Sequence, residues 1–171
     1  TYSGELIKYD LAPLTMSLVK GVLTPILKET VNFINAVSLA KERGINIKEV
    51  KSSKELEFTS FIQLEIKTDK ESHTVSGTLS ANKQPRIVKI NEYYVEAPPL
   101  GEMLVIQNWD RPGVIGNLGT LLGKHNINVA FMNFGRDKSG GKAVSVLNVD
   151  SVVSQEILDK IRKTENILGV K

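Results

Sequence analysis

Asp110 is the acidic side chain of a six-residue turn, Asn108-Trp109-Asp110-Arg111-Pro112-Gly113. The turn lies between the apolar run Leu104-Val105-Ile106 and the helically spaced Val114, Ile115, Leu118, Leu121 and Leu122. Strand, turn, helix is the expected order. Amides that open a helix lack intrahelical partners and lie at the positive end of its dipole, so such a turn accepts a small carboxylate. Asp110 offers the opposite charge to an ammonium. Amides for a carboxylate beside a carboxylate for an ammonium suit a free amino acid. The same residues support a plainer reading, in which Asp110 only caps the helix and Gly116, Gly119 and Gly123 only permit packing. Pro112 is expected at the first helical position, where its missing amide is no loss. Trp109, the sole tryptophan, is expected inside the turn, where its emission would report an occupant.

Lys83, Arg86 and Lys89 lie on or beside one expected strand. They can gather an anion such as a phosphate-bearing small molecule, and a solvated edge kept soluble by charge gives the same pattern. Gly113, Gly116 and Gly119 open a helix after a strand, but their spacing is GxxGxxG rather than GxGxxG. No acidic residue closes a second parallel strand beyond them, which argues against a dinucleotide loop. His73 and His125 are the only histidines, and neither has a paired carboxylate at ligand spacing, which argues against a metal or general-base role. Asn32 and Asn35 are expected to cap or satisfy neighbouring backbone. With no nucleophile–base pair, metal cluster or phosphate loop, the chain is expected to be a binding module that holds no cofactor.

The elements that position these groups follow from periodicity. Leu6, Ile7 and Tyr9 suggest a short strand, and Leu14 to Glu29 a helix kinked at Pro25. Thr30 is placed to cap a second helix that Gly44 ends. Residues 45–50, 61–67, 73–81, 86–90 and 93–95 alternate as strands. Residues 1–97 are thus expected to form an α+β domain with paired helices on a mostly antiparallel sheet, and Ala97-Pro98-Pro99-Leu100-Gly101 to be the linker. Residues 102–171 follow the order β-α-β-β-α-β of a ferredoxin-like domain, with Ser154 capping its last helix. Two helices would cover one sheet face, leaving the other face and the edges to a partner.

Composition narrows the function. Net charge is +3, from 22 basic and 19 acidic residues interspersed along the chain, and 41% of residues are apolar. No clustered basic face or stacking aromatics point to nucleic acid, and no apolar run approaches the ~20 residues of a membrane helix. There is no cysteine, which excludes disulfides and thiolate metal sites and fits a cytoplasmic location. Thr1-Tyr2-Ser3-Gly4-Glu5 has neither an initiator methionine nor a signal-peptide pattern, so a longer parent is expected.

NWDRPGVIGNLGTLLGKHNINVAFMNFGR followed by GGKAVSVLNVDS resembles the ACT domain that ends long-type D-3-phosphoglycerate dehydrogenases. KGVL, VNFINAVSLAKERGI, SGTL and PRIVKIN resemble the intervening, allosteric substrate-binding domain before it. The resemblance implies the regulatory part of an NAD-dependent oxidoreductase of serine biosynthesis, with NAD bound by the parent enzyme rather than by this chain. It implies an L-serine site at Asn108, Asp110 and Asn128, with the amides of Gly113, Val114 and Ile115 receiving the carboxylate. The site would lie between ACT domains of two subunits in a homo-oligomer. Arg86 matches the basic residue of a second, anion-binding site, while Pro98 stands where a further arginine is expected. The regulatory part of iron–sulfur L-serine dehydratases has a related plan, but of its S-S-S-H-T-A-G pattern only Ser72-His73-Thr74 occurs here. A third reading is a purely structural oligomerisation module.

Overall fold

The computed structural model describes residues 1–27, 30–53 and 58–171. They divide into two compact units, residues 1–64 and 65–171. Among the described residues no helix is long and apolar enough to cross a membrane.

The first unit holds β1 (Tyr2–Gly4), a turn of 3-10 helix (Glu5–Lys8), α1 (Ala12–Leu23), α2 (Ala36–Glu42), β2 (Lys51–Ser52) and the start of β3 (Ser60–Lys67). The strand expected at Leu6–Tyr9 lies instead at Tyr2–Gly4, antiparallel to β3 and parallel to β2. Gly4 ends it, with φ 73° and its α-carbon so close to the Thr59 carbonyl that no Cβ fits. Helix α1 stops at Leu23, short of the expected end, because Pro25 cannot continue a helix. Glu29, the end expected from periodicity, lies outside the described residues. Helix α2 starts at Ala36 rather than after Thr30. Asn32 and Asn35 hold the loop before it: Asn32 N donates to Asn35 Oδ1 at 2.7 Å and Asn35 Nδ2 to Thr30 O at 2.9 Å. Leu23, Val31, Ala36, Leu39 and Ala40 form the core between these helices. Residues 45–50 form no strand despite their alternation; Ile45 and Val50 stay exposed.

The second unit opens with an antiparallel meander, β4 (Ser72–Leu79), β5 (Pro85–Ile90) and β6 (Tyr93–Ala97). Then come β7 (Glu102–Trp109), α3 (Val114–Lys124), β8 (Val129–Arg136), β9 (Lys142–Val149), α4 (Gln155–Arg162) and β10 (Ile167–Val170). The sheet order is β10-β7-β9-β8, with antiparallel ladders throughout. This is the expected βαββαβ plan, and Ser154 caps α4 by accepting from Ile157 N.

Period-2 alternation sorts the sheet into two faces. Leu104, Ile106, Leu147 and Val149 pack under Val114, Leu118 and Leu122 of α3 and Ile161 of α4. Each such side chain contributes roughly 1.5–3 kcal/mol by leaving water. The opposite face, expected to be free for a partner, is covered within the same unit: Val144 and Val146 are buried against Tyr93, Val95 and Ala97 of β6. Gly135 of β8 permits this, since a Cβ there would strike the Tyr94 carbonyl. Polar contacts fasten the crossing. Glu96 N donates to Asn133 Oδ1 at 2.9 Å, and Asn148 Nδ2 donates to Pro98 O at 3.0 Å and Leu100 O at 2.7 Å. The 97–101 stretch is therefore held against β9 rather than left as a free tether.

Candidate functional site

Strand β7 is zipped to β9 through to Asn108↔Ala143 and Trp109↔Lys142, and Asp110 N then donates to Gly141 O at 2.8 Å. The chain turns at once. Gly113 sits at φ 90°, a left-handed conformation that glycine alone adopts cheaply, and serves as the N-cap of α3. This moves the helix start two residues past the expected one: Pro112 precedes the cap, and the first helical residue is Val114. No side chain caps the helix. Val114 N reaches Arg111 O only at 3.4 Å, so the first-turn amides are available to an anion.

Asp110 is not the cap. Its Oδ2 accepts from Arg136 Nη1 at 2.8 Å and from Gly140 N at 3.2 Å. The Arg136 guanidinium, and after it the Gly140 amide, hold the Asp110 carboxyl below the ordinary carboxylate range. Its side chain remains 20% exposed, a fixed anion beside the mouth of α3. Arg136 and Gly140 were not singled out by their sequence. The available signal was their position, at the end of β8, which runs parallel to β7 one strand away, and in the following Gly-Gly turn.

Packing does not account for the helix glycines. Among the described residues a Cβ added at Gly116, Gly119 or Gly123 would meet nothing within 4 Å. Together with Ile115, 52% exposed, they leave α3 with an unpartnered outer face.

Asn108 is fully buried. Its Oδ1 accepts from Ser145 Oγ at 3.1 Å and its Nδ2 donates to Trp109 O at 2.8 Å. It shapes the strand end from beneath, and Ser145 is the partner sequence reasoning missed. Trp109 belongs to the turn by sequence, but its ring lies elsewhere. It lines a cavity with Tyr93, Gln107 and Leu168.

Asn128 is far from Asp110 within one chain. β7 and β8 run the same way, and Asn128 precedes Val129, which is paired with Val149, whereas Asn108 is paired with Ala143. Six residues of strand separate the two rungs, roughly 20 Å. Asn128 Nδ2 donates to Asp150 Oδ2 at 2.7 Å. The chain thus brings Asp110 together with Gly113, Val114 and Ile115 but not with Asn128.

The three cations of the β4–β5 hairpin occupy separate surroundings. Lys83 sits in the β4–β5 turn at φ 57°; Arg86 donates to Pro85 O at 2.9 Å and Gln84 Oε1 at 3.0 Å. Lys89 lies 5.0 Å from the centre of the Tyr94 ring, a cation–π contact. They share a hairpin without forming a common cluster. Among the described residues no group of three His, Asp or Glu side chains gathers as a metal site would.

Residues 1–91 match the family described as D-3-phosphoglycerate dehydrogenase intervening domain, and residues 103–166 match the ACT domain. The chain belongs to the phosphoglycerate dehydrogenase intervening-domain family. Similar curated proteins include the D-3-phosphoglycerate dehydrogenases of Methanocaldococcus jannaschii, 37% identical over 169 residues, and Bacillus subtilis, 35% identical over 170. That of Archaeoglobus fulgidus is 36% identical over 170 residues. The matches cover 98–99% of this chain and 32% of each relative, so the chain spans about a third of their length. It comprises the regulatory domains of that enzyme family. The family matches divide the intervening domain from the ACT domain between residues 91 and 103, whereas packing divides the chain after residue 64. Strands β4 and β5 thus belong to the intervening domain by descent and to the ACT unit by compactness, and β6 lies between the two family matches.

Proposed function

We propose that this chain is the regulatory part of an NAD-dependent D-3-phosphoglycerate dehydrogenase. Residues 1–97 act as the intervening domain and residues 102–171 as an ACT domain that binds L-serine for feedback control. NAD and the oxidation belong to other domains of such an enzyme. The observation that carries this reading is the fixed Asp110 carboxylate beside the uncapped first turn of α3. Ammonium and carboxylate of one amino acid match those two features.

The reading needs a second copy. β8 is the outermost strand of its sheet, and Phe131 on it is 38% exposed. Antiparallel addition of another β8 along that edge exchanges ends. It would set the second copy's Asn128 near Arg136 and Asp110 of the first. The serine hydroxyl would then face groups from both chains. A phosphate-bearing effector at Arg86, with Lys83 and Lys89 nearby, is a second part of the proposal, supported by the family match at residues 1–91.

Calorimetric titration of the intact chain with L-serine and with L-alanine tests it. L-Serine should bind saturably, and L-alanine at least about tenfold more weakly, because the missing hydroxyl leaves polar groups unpaired. Asp110→Ala should weaken L-serine by about tenfold or more. Absence of heat at millimolar L-serine, in an oligomer verified by light scattering, would leave only the structural role.

A further inference from the structure

The cavity that Trp109 lines measures about 360 Å³, within the roughly 300–1,000 Å³ of small-molecule sites. It lies entirely in the unit formed by residues 65–171. The β5–β6 turn contributes Glu92, β6 contributes Tyr93, β7 contributes Gln107 and Trp109, β9 contributes Lys142 and β10 contributes Leu168. Trp109 and Leu168 are 38% and 47% exposed, so the cavity has an apolar wall open to an occupant.

The polar lining carries both signs of charge. Among the described residues Lys142 makes no ion pair, and Glu92 makes none either. Burial, with a hydrogen bond to Glu92, pushes the Tyr93 phenol up to about 12, so at neutral pH it stays protonated and donates to the Glu92 carboxylate. That carboxylate lines the cavity with acceptor capacity to spare. Asp137 adds negative potential near Tyr93. An aromatic and aliphatic floor between one uncommitted ammonium and one carboxylate complements a zwitterion with an apolar tail.

We propose that this cavity binds a free α-amino acid with an apolar side chain. The ligand's ammonium meets Glu92, its carboxylate meets Lys142, and its side chain covers Trp109 and Leu168, with the Gln107 amide beside it. The site is separate from the Asp110 turn. Strand alternation sends Asn108 into the core under the helices and Trp109 to the opposite face, so two ligands can occupy the two sides of one strand end. An occupant here bridges the β5–β6 turn to the ACT sheet.

Because Trp109 is the only tryptophan, its emission reports this cavity without engineered probes. The intact chain is titrated with L-leucine and with two truncated relatives, 4-methylpentanoate without the ammonium and isoamylamine without the carboxylate. Emission and calorimetry are recorded together. The expected result is a saturable L-leucine response, about tenfold or more weaker for either truncated probe. Lys142→Met and Glu92→Gln should each abolish it while leaving the heat of L-serine binding in place. An L-leucine response that survives both substitutions, equal binding of 4-methylpentanoate, or flat emission and heat at millimolar L-leucine overturns the proposal. None of those outcomes bears on serine at the Asp110 turn.

Discussion

Asp110 is ionised more readily than an ordinary aspartate because Arg136 and the Gly140 amide both favour its charged form. A depressed pKa in the folded state means stability that is present above the unfolded value, roughly 4, and lost as pH falls through the folded value. Asp110→Asn should therefore lower the urea midpoint at pH 7, and the gap from the parent should close as the pH drops below 4 toward the folded pKa. A gap independent of pH would mean that the Arg136 pair contributes nothing. Residue types made part of this site legible: an acidic side chain before a Pro-Gly turn and a helix is visible in Asn108–Gly113. The partners were not. Whether Asp110 meets Arg136, 26 residues away, and whether Asn108 meets Ser145, 37 away, depends on strand register, which only assembly of the sheet decides. Trp109 shows the same limit, since one step along a strand reverses the face.

At the scale of elements, α3 requires glycine at its N-cap and carries it without a steric need within the helix. Gly113→Ala forces an L side chain to φ 90° with no clash to relieve, so conformational strain alone should destabilise by about 1–2 kcal/mol. Gly119→Ala meets nothing within 4 Å and should stabilise by about 0.5–1 kcal/mol through helix propensity. Chemical denaturation of both variants gives the two signs directly. Stabilisation by Gly119→Ala accompanied by weaker self-association would identify this face as the place where a second backbone approaches. Long periodic elements were legible: β3 to β7 and the start of α3 lie within about three residues of their expected positions, and Ser154 caps α4 as expected. The short ones were not. β1 and β2 are three and two residues long and exist because β3 and β1 lie beside them, while residues 45–50 carry the alternation of a strand without a ladder to join. For α1, the sequence announced an end at Pro25, but helical spacing of Ile26 and Leu27 beyond it suggested a kink.

The whole chain departs most from expectation in how its parts are packed. The Pro-Pro stretch marks a family boundary, yet β6 lies across β8 and β9 so closely that Gly135 cannot carry a side chain without shifting the Tyr94 carbonyl. Gly135→Ala should accordingly cost about 1–3 kcal/mol, because backbone cannot rotate aside as a side chain would. An unchanged denaturation midpoint would show that β6 yields easily. Covering one sheet face from within leaves the β8 edge and the outer side of α3 for a second copy, and it is there that the proposed serine site has to be completed.

The decisive measurement is complementation between two damaged sites. Asp110→Ala and Asn128→Ala chains, each purified alone, should bind L-serine at least about tenfold more weakly than the parent. Co-expressed, half of randomly formed pairs are mixed and each mixed pair carries one undamaged site. Calorimetry should then recover L-serine binding of parental affinity at about one quarter of the parental stoichiometry. Full binding by Asn128→Ala alone, or a mixture that binds no better than its components, would contradict a serine site built from two copies of this chain.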